Sequence, residues 1–170
     1  MNDAPVFVGA DSPVYSLDED AGTPFGAVGI PVQEMVSLDS ATSGPRNVSD
    51  PDAGGLTGIA IIAADSSHGT WYYTRDSGLM WTPLAAASPT SATLLAASTG
   101  VRLAFRPNAD YNGTTPDALT FLAWDQTIGT SGGTADTTVG NAFSATSHTL
   151  TLTVRPANDP PTAVPIDLGS

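Results

Sequence analysis

The chain has 170 residues, with 17 acidic side chains against five basic ones and a formal net charge of −12 at neutral pH. It contains no lysine and no cysteine, which excludes a basic nucleic-acid face, disulfides, a thiol nucleophile and a Cys-ligated zinc site. No apolar run approaches the roughly 20 residues that cross a bilayer, so neither nucleic acid nor membrane insertion is expected.

A chain of this length has room for one domain with a substantial core. The tetrapeptide Asn2-Asp3-Ala4-Pro5 opens it and returns a whole domain later as Asn158-Asp159-Pro160-Pro161. A repeat with that period marks module boundaries, which divides the chain into a linker (1–5), a domain (6–157), and a second linker with the start of a following module (158–170). Thr162 to Ile166 reads as the first strand of that next module. The stretch from Leu56 to Ala64 is continuously apolar, as a strand covered on both faces would be. Gly69 to Thr74, a polar turn Arg75-Asp76-Ser77-Gly78, and Leu79 to Thr82 read as a hairpin. Residues 85–97 fit a short helical turn or a loop followed by a strand, with Pro89 weakening the helix. Val101, Leu103 and Phe105 alternate with Arg102, Ala104 and Arg106, the period of a half-buried strand. Leu119 to Thr127 is again continuously apolar. Ile128 to Ser147 is rich in Gly, Thr, Ser and Asp and reads as an extended hairpin loop, a length that usually carries function or mobility. Leu150, Leu152 and Val154 alternate with threonines to close the domain. The expected class is all-β, with two sheets packed face to face.

Five motifs follow one another in order: Asn2-Asp3-Ala4-Pro5, Leu17 to Gly22, Val48 to Gly54, Phe105 to Gly113, and Ala123-Trp124-Asp125-Gln126-Thr127. Together they resemble the bacterial cadherin-like tandem repeats of giant secreted adhesins of the RTX type. The resemblance implies a two-sheet Greek-key β-sandwich, cadherin- or immunoglobulin-like, with inserted loops. It implies Ca2+ as the cofactor and neighbouring repeat modules of the same chain as partners. It implies a secreted, cell-surface location in a bacterium. Calcium ligands are implied at Glu19, at the Asp-Xaa-Asp pair Asp50 and Asp52, at Asp125, and at the linker residues Asn158 and Asp159. Asn2 and Asp3 would be the preceding linker, serving a neighbouring module. Calcium takes six to eight oxygens, and an Asp-Xaa-Asp step can aim two carboxylates at one point where the backbone turns. If clustered, these carboxylates would repel one another until a cation neutralised them.

No catalytic constellation assembles. His68 and His148 lie apart from any nucleophile pattern, and the two glutamates, Glu19 and Glu34, sit in the least patterned part of the chain; an enzyme is not expected. The expected role is a calcium-rigidified extender in cell adhesion, monomeric apart from its array neighbours. The alternative is a ligand-binding module that recognises a carbohydrate or a partner protein through the 128–147 loop or an aromatic platform of Trp71, Tyr73, Trp81 and Trp124. Flat aromatic faces suit sugar rings, although strand aromatics usually pack in cores.

Overall fold

Burial follows the sequence pattern closely wherever apolar residues alternate. The computed structural model describes residues 1–9, 12–39, 41, 44–52 and 55–161. In chain order these form β1 (Val6–Phe7), β2 (Val14–Asp18), β3 (Ile30–Pro31), the short helix α1 (Val32–Met35), β4 (Val48–Ser49), β5 (Gly58–Ala64), β6 (Gly69–Thr74), β7 (Thr82–Pro83), β8 (Ala92–Ala96), β9 (Arg102–Pro107), β10 (Gly113–Trp124), β11 (Thr134–Ala135) and β12 (Phe143–Arg155). The chain is all-β, and α1 is the one helix among the described residues. Residues 162–170, read above as the start of another module, lie outside them, as do Ala53 and Gly54.

Three sheets result. A six-stranded sheet has the order β11-β8-β5-β10-β12-β2, a four-stranded sheet the order β3-β9-β6-β7, and β1 pairs with β4 alone. Between these strands every pairing is antiparallel except that of β2 with β12, which runs parallel from Val14 opposite Thr151 to Asp18 opposite Arg155. One apolar cluster draws on both larger sheets: Leu17, Ile59, Ile61, Leu95, Leu119, Phe121, Leu150, Leu152 and Val154 from one, and Ile30, Trp71, Leu103 and Phe105 from the other. This is the main core.

The central strands of the six-stranded sheet have a second buried face. Ala60, Leu94, Ala96, Leu122 and Trp124 point away from the main core and form a separate cluster with Ala142 and Phe143. That accounts for the continuous apolar runs at 58–61 in β5 and 121–124 in β10, where neither face is open to water. Gly58 is required at this crossing, because a Cβ there would stand 2.5 Å from the Leu95 carbonyl oxygen and 2.8 Å from the Trp124 ring.

Two loop expectations are corrected. The segment after Gly78 does not form the second arm of a hairpin from Leu79; pairing begins only at Thr82 and Pro83, opposite Tyr73 and Tyr72. The turn is held instead by Asp76, whose Oδ1 accepts from the Thr74 hydroxyl and the Met80 N–H, and this lifts Leu79 and Met80 off the sheet. The 128–147 segment is not an open hairpin loop either. Its middle forms the edge strand β11 on β8, and β12 begins at Phe143, inside the expected loop.

Candidate functional site

Strand β10 spans the domain, and the acidic residues singled out in the sequence gather at its two ends. Asp125 follows its last residue. At the opposite end Asn112, just before Gly113, donates from Nδ2 to Glu19 Oε2 at 2.7 Å. At about 3.3 Å per residue, the intervening chain separates Glu19 from Asp125 by roughly 40 Å. Glu19 therefore stands at one pole of the domain, and Asp125 at the other.

At the first pole, Asp125 is 5 % exposed. Its Oδ1 accepts from the Thr127 N–H at 2.8 Å and the Thr127 hydroxyl at 2.6 Å. Its Oδ2 accepts from Asn2 Nδ2 at 2.7 Å, and the same amide donates to the Asn141 carbonyl at 3.1 Å. Asn141 returns a hydrogen bond from its own amide to the Asn2 carbonyl at 3.1 Å. Next to it, Asp52 Oδ2 accepts the Asp3 N–H at 2.9 Å, and Asp50 Oδ1 accepts the Asp52 N–H at 2.9 Å. Asn2 and Asp3 thus dock on this domain's own pole, where they join Asp50, Asp52 and Asp125.

At the second pole, Glu19 Oε1 accepts the Ala157 N–H at 2.7 Å. The Asn112 amide first, and then this N–H, hold the Glu19 carboxyl below its ordinary range. Arg155 pairs with Asp18 at 3.1 Å on the exposed surface. Asn158 and Asp159 follow directly and are exposed.

The donors at the first pole suit a hard cation in kind, being carboxylates, a carbonyl and an amide oxygen. The Asn2 amide nitrogen sits where Asp125 Oδ2 and the Asn141 carbonyl converge, so a cation there would need that amide turned to present its oxygen. Among the described residues no three His, Cys, Asp or Glu side chains converge on one point. The fit is therefore in donor type and position, without a preformed acidic cage.

Much of the aspartate has a local structural task. Asp65 with Ser67, Asp125 with Thr127, and Asp136 with Thr138 each form the same turn, one carboxylate oxygen taking both the N–H and the hydroxyl two residues on. Such turns satisfy loop backbone that no sheet partner reaches. The Asp-Xaa-Ser/Thr spacing was the signal for them.

The proposed aromatic platform does not assemble. Trp71 and Trp124 are each 1 % exposed, and their indole N–H groups are used by the Asp65 and Ile128 carbonyls at 3.0 and 2.9 Å. Tyr73 packs against the main core. Trp81, like Tyr73, is half-exposed, with its N–H on the Gly26 carbonyl at 3.2 Å.

The chain matches no family model, no curated protein and no solved structure. The function has therefore to be argued from this geometry. No helix among the described residues is long and apolar enough to cross a membrane. Asn141, Thr127 and Asn112 are the participants that sequence reasoning missed.

Proposed function

We propose that this chain is a calcium-binding extracellular module of a bacterial surface adhesin, a Greek-key sandwich of the cadherin or immunoglobulin kind, acting as an extender between neighbouring modules. One observation carries the reading: the motif Asn2-Asp3 docks at the end of β10 against Asp125 and Asp52, and its repeat Asn158-Asp159 leaves from the far end beside Glu19. In an array each outgoing linker is the incoming linker of the next module, so a junction brings together the Glu19 end of one module and the Asp50, Asp52 and Asp125 end of the next. The parallel pairing of β2 with β12 and the core shared by the two larger sheets support the sandwich topology. Calcium at the first pole would be held by Asp125, by the Asn141 carbonyl and by Asn2 through its amide oxygen, with Asp50 and Asp52 adjacent.

The test is thermal unfolding after exhaustive chelation, with and without calcium at several millimolar. For an extracellular site with a dissociation constant on the order of 0.1–1 mM, a tenfold excess of calcium contributes about 1.4 kcal/mol. That is a rise in melting temperature of roughly 3–6 °C for a chain of this size. The rise disappears in Asp125→Asn if the first pole holds the ion. A wild-type melting curve that calcium leaves unmoved refutes the reading.

The ligand-binding alternative draws less support. Two of its three tryptophans are interior, and the 128–142 segment is occupied in covering the sheet.

A further inference from the structure

Of the asparagines at positions 2, 47, 108, 112, 141 and 158, Asn112 alone is followed by glycine. The side-chain amide of an asparagine is open to attack by the backbone nitrogen of the next residue. A Cβ on that residue obstructs the approach, and glycine has none. The fold also favours glycine at position 113, since its φ of 150° lies where L side chains rarely go. Asn112 stands between the turn closed by the Tyr111 N–H on the Asn108 carbonyl, at 3.2 Å, and the first residue of β10. It is exposed, so water and hydroxide reach it. Among the described residues its side chain has one hydrogen bond, to Glu19 Oε2 at 2.7 Å. Asn47 is the opposite case: it is 6 % exposed, both ends of its amide are held, by the Met35 carbonyl and the Ser37 N–H, and valine follows it.

The Asn112 amide holds more than itself. Glu19 takes it on Oε2 and the Ala157 N–H on Oε1, at 2.7 Å each. The start of β10 is thereby tied, through one carboxylate, to the residue just before Asn158-Asp159. A donor at position 112 is essential to that tie, because two carboxylates cannot share a hydrogen bond and repel one another.

We propose that Asn112 is a self-modifying site, whose conversion to a carboxylate unties Glu19 from β10 and loosens the chain at Ala157. The Gly113 nitrogen bonds to Asn112 Cγ, the Cγ–Nδ2 bond breaks, and Nδ2 leaves as ammonia with the proton that Gly113 gives up. Water then opens the five-membered imide. Opening at the side-chain carbonyl leaves aspartate. Opening at the main-chain carbonyl leaves isoaspartate, which adds a carbon to the backbone where Gly113 pairs with Val154. One water enters and one ammonia departs, with no oxidant or reductant. The reaction does not depend on the module reading, whereas its effect on an outgoing linker does.

The test is to hold the 170-residue chain in chelator at physiological temperature over weeks, at neutral and at alkaline pH, and to map it by peptide mass spectrometry with isoaspartate detection. The expected result is amide-to-acid conversion at Asn112 before any other asparagine changes, with isoaspartate among the products, and faster at alkaline pH because the attacking nitrogen must lose its proton. Asn112→Gln, which keeps an amide but disfavours the five-membered ring, stays unmodified. Hydrogen exchange at Ala157 is expected to be faster in Asn112→Asp than in the unmodified chain, with near-ultraviolet circular dichroism confirming that both variants fold. An Asn112 that stays intact, or that converts no sooner than the other asparagines, overturns the site. Unchanged exchange at Ala157 in Asn112→Asp overturns the loosening. Neither measurement uses calcium, so these failures are distinct from failure of the calcium reading.

Discussion

The Asn2 amide lies 2.7 Å from the Asp125 carboxylate although 123 positions separate them in the chain. With the Asn141 exchange and the Asp3 contact to Asp52, the incoming linker is pinned to the end of β10 by protein groups alone. The Asn2 side chain supplies the donor that the Asp125 Oδ2 would otherwise lack. In chelator, Asn2→Ala should lower unfolding free energy by about 1 kcal/mol. Asp125→Ala should cost about 1.5–3 kcal/mol, since it removes hydrogen bonds to a charged group that is almost wholly buried. Urea unfolding reads both, and a silent Asn2→Ala would mean the linker is not docked.

The four aromatics offered above as a platform separate into two classes. Trp71→Ala and Trp124→Ala each empty an interior site and should cost about 3–5 kcal/mol. Trp81 keeps one side in solvent, so Trp81→Ala should cost clearly less than either. Guanidinium unfolding of the three variants checks this; equal losses would contradict the burial assigned to them.

The 128–142 segment acts as a cover. Gly132 N–H donates to the Leu94 carbonyl, Leu94 N–H to the Gly133 carbonyl, and Ala96 N–H to the Ser131 hydroxyl. Beneath it lie Leu94, Leu122 and Trp124. Replacing 129–141 by a short Gly-Ser turn should therefore bare the outer face of the six-stranded sheet. The expected outcome is a loss of several kcal/mol, at about 25 cal/mol per Å² of apolar surface re-exposed, and new binding of a hydrophobic dye. A dispensable binding loop would leave stability unchanged.

Four carboxyls at or near the surface have depressed pKa values. The Asn112 amide lowers Glu19, the Ser67 hydroxyl lowers Asp65, the Met80 N–H lowers Asp76 and the Thr138 hydroxyl lowers Asp136. A depressed folded-state pKa contributes stability that is fully present above the ordinary values, 4.5 for Glu and 3.8 for Asp. That stability is lost as pH falls through the folded-state values. These groups should therefore add no slope to the melting temperature between neutral pH and about 5, and a progressive loss below about 4. Melting curves across this range check the sign, and Glu19→Gln should remove part of the acid-side loss.

Strands β9 and β12 are legible in the sequence because one face is core and the other is not, so Leu103 and Phe105, or Leu150 and Leu152, declare the period directly. The region from Glu19 to Leu56 is not legible. There β3 and β4 are two residues each, too short to show a period, and Val32, Met35 and Val36 are buried without alternation. At the candidate site, Asp50, Asp52 and Asp125 stand out as acids in turn-forming contexts, but which of them share a pole depends on the length of β10. Asn141 contributes chiefly a backbone carbonyl, and every residue has one, so its identity gives no hint. Leu79 and Met80 mimic a strand arm because apolar content alone does not reveal that Asp76 closes the turn on them.

The parallel register of β2 with β12 has a mechanical consequence. Tension between the N-terminal end at one pole and the C-terminal end at the other pulls Val14–Asp18 and Thr151–Arg155 past each other along their length. The inter-strand bonds, evenly spaced in a parallel pair, then carry the load together instead of opening one after another. Rupture requires the whole patch to slide at once, so the module resists stretching far more than peeling.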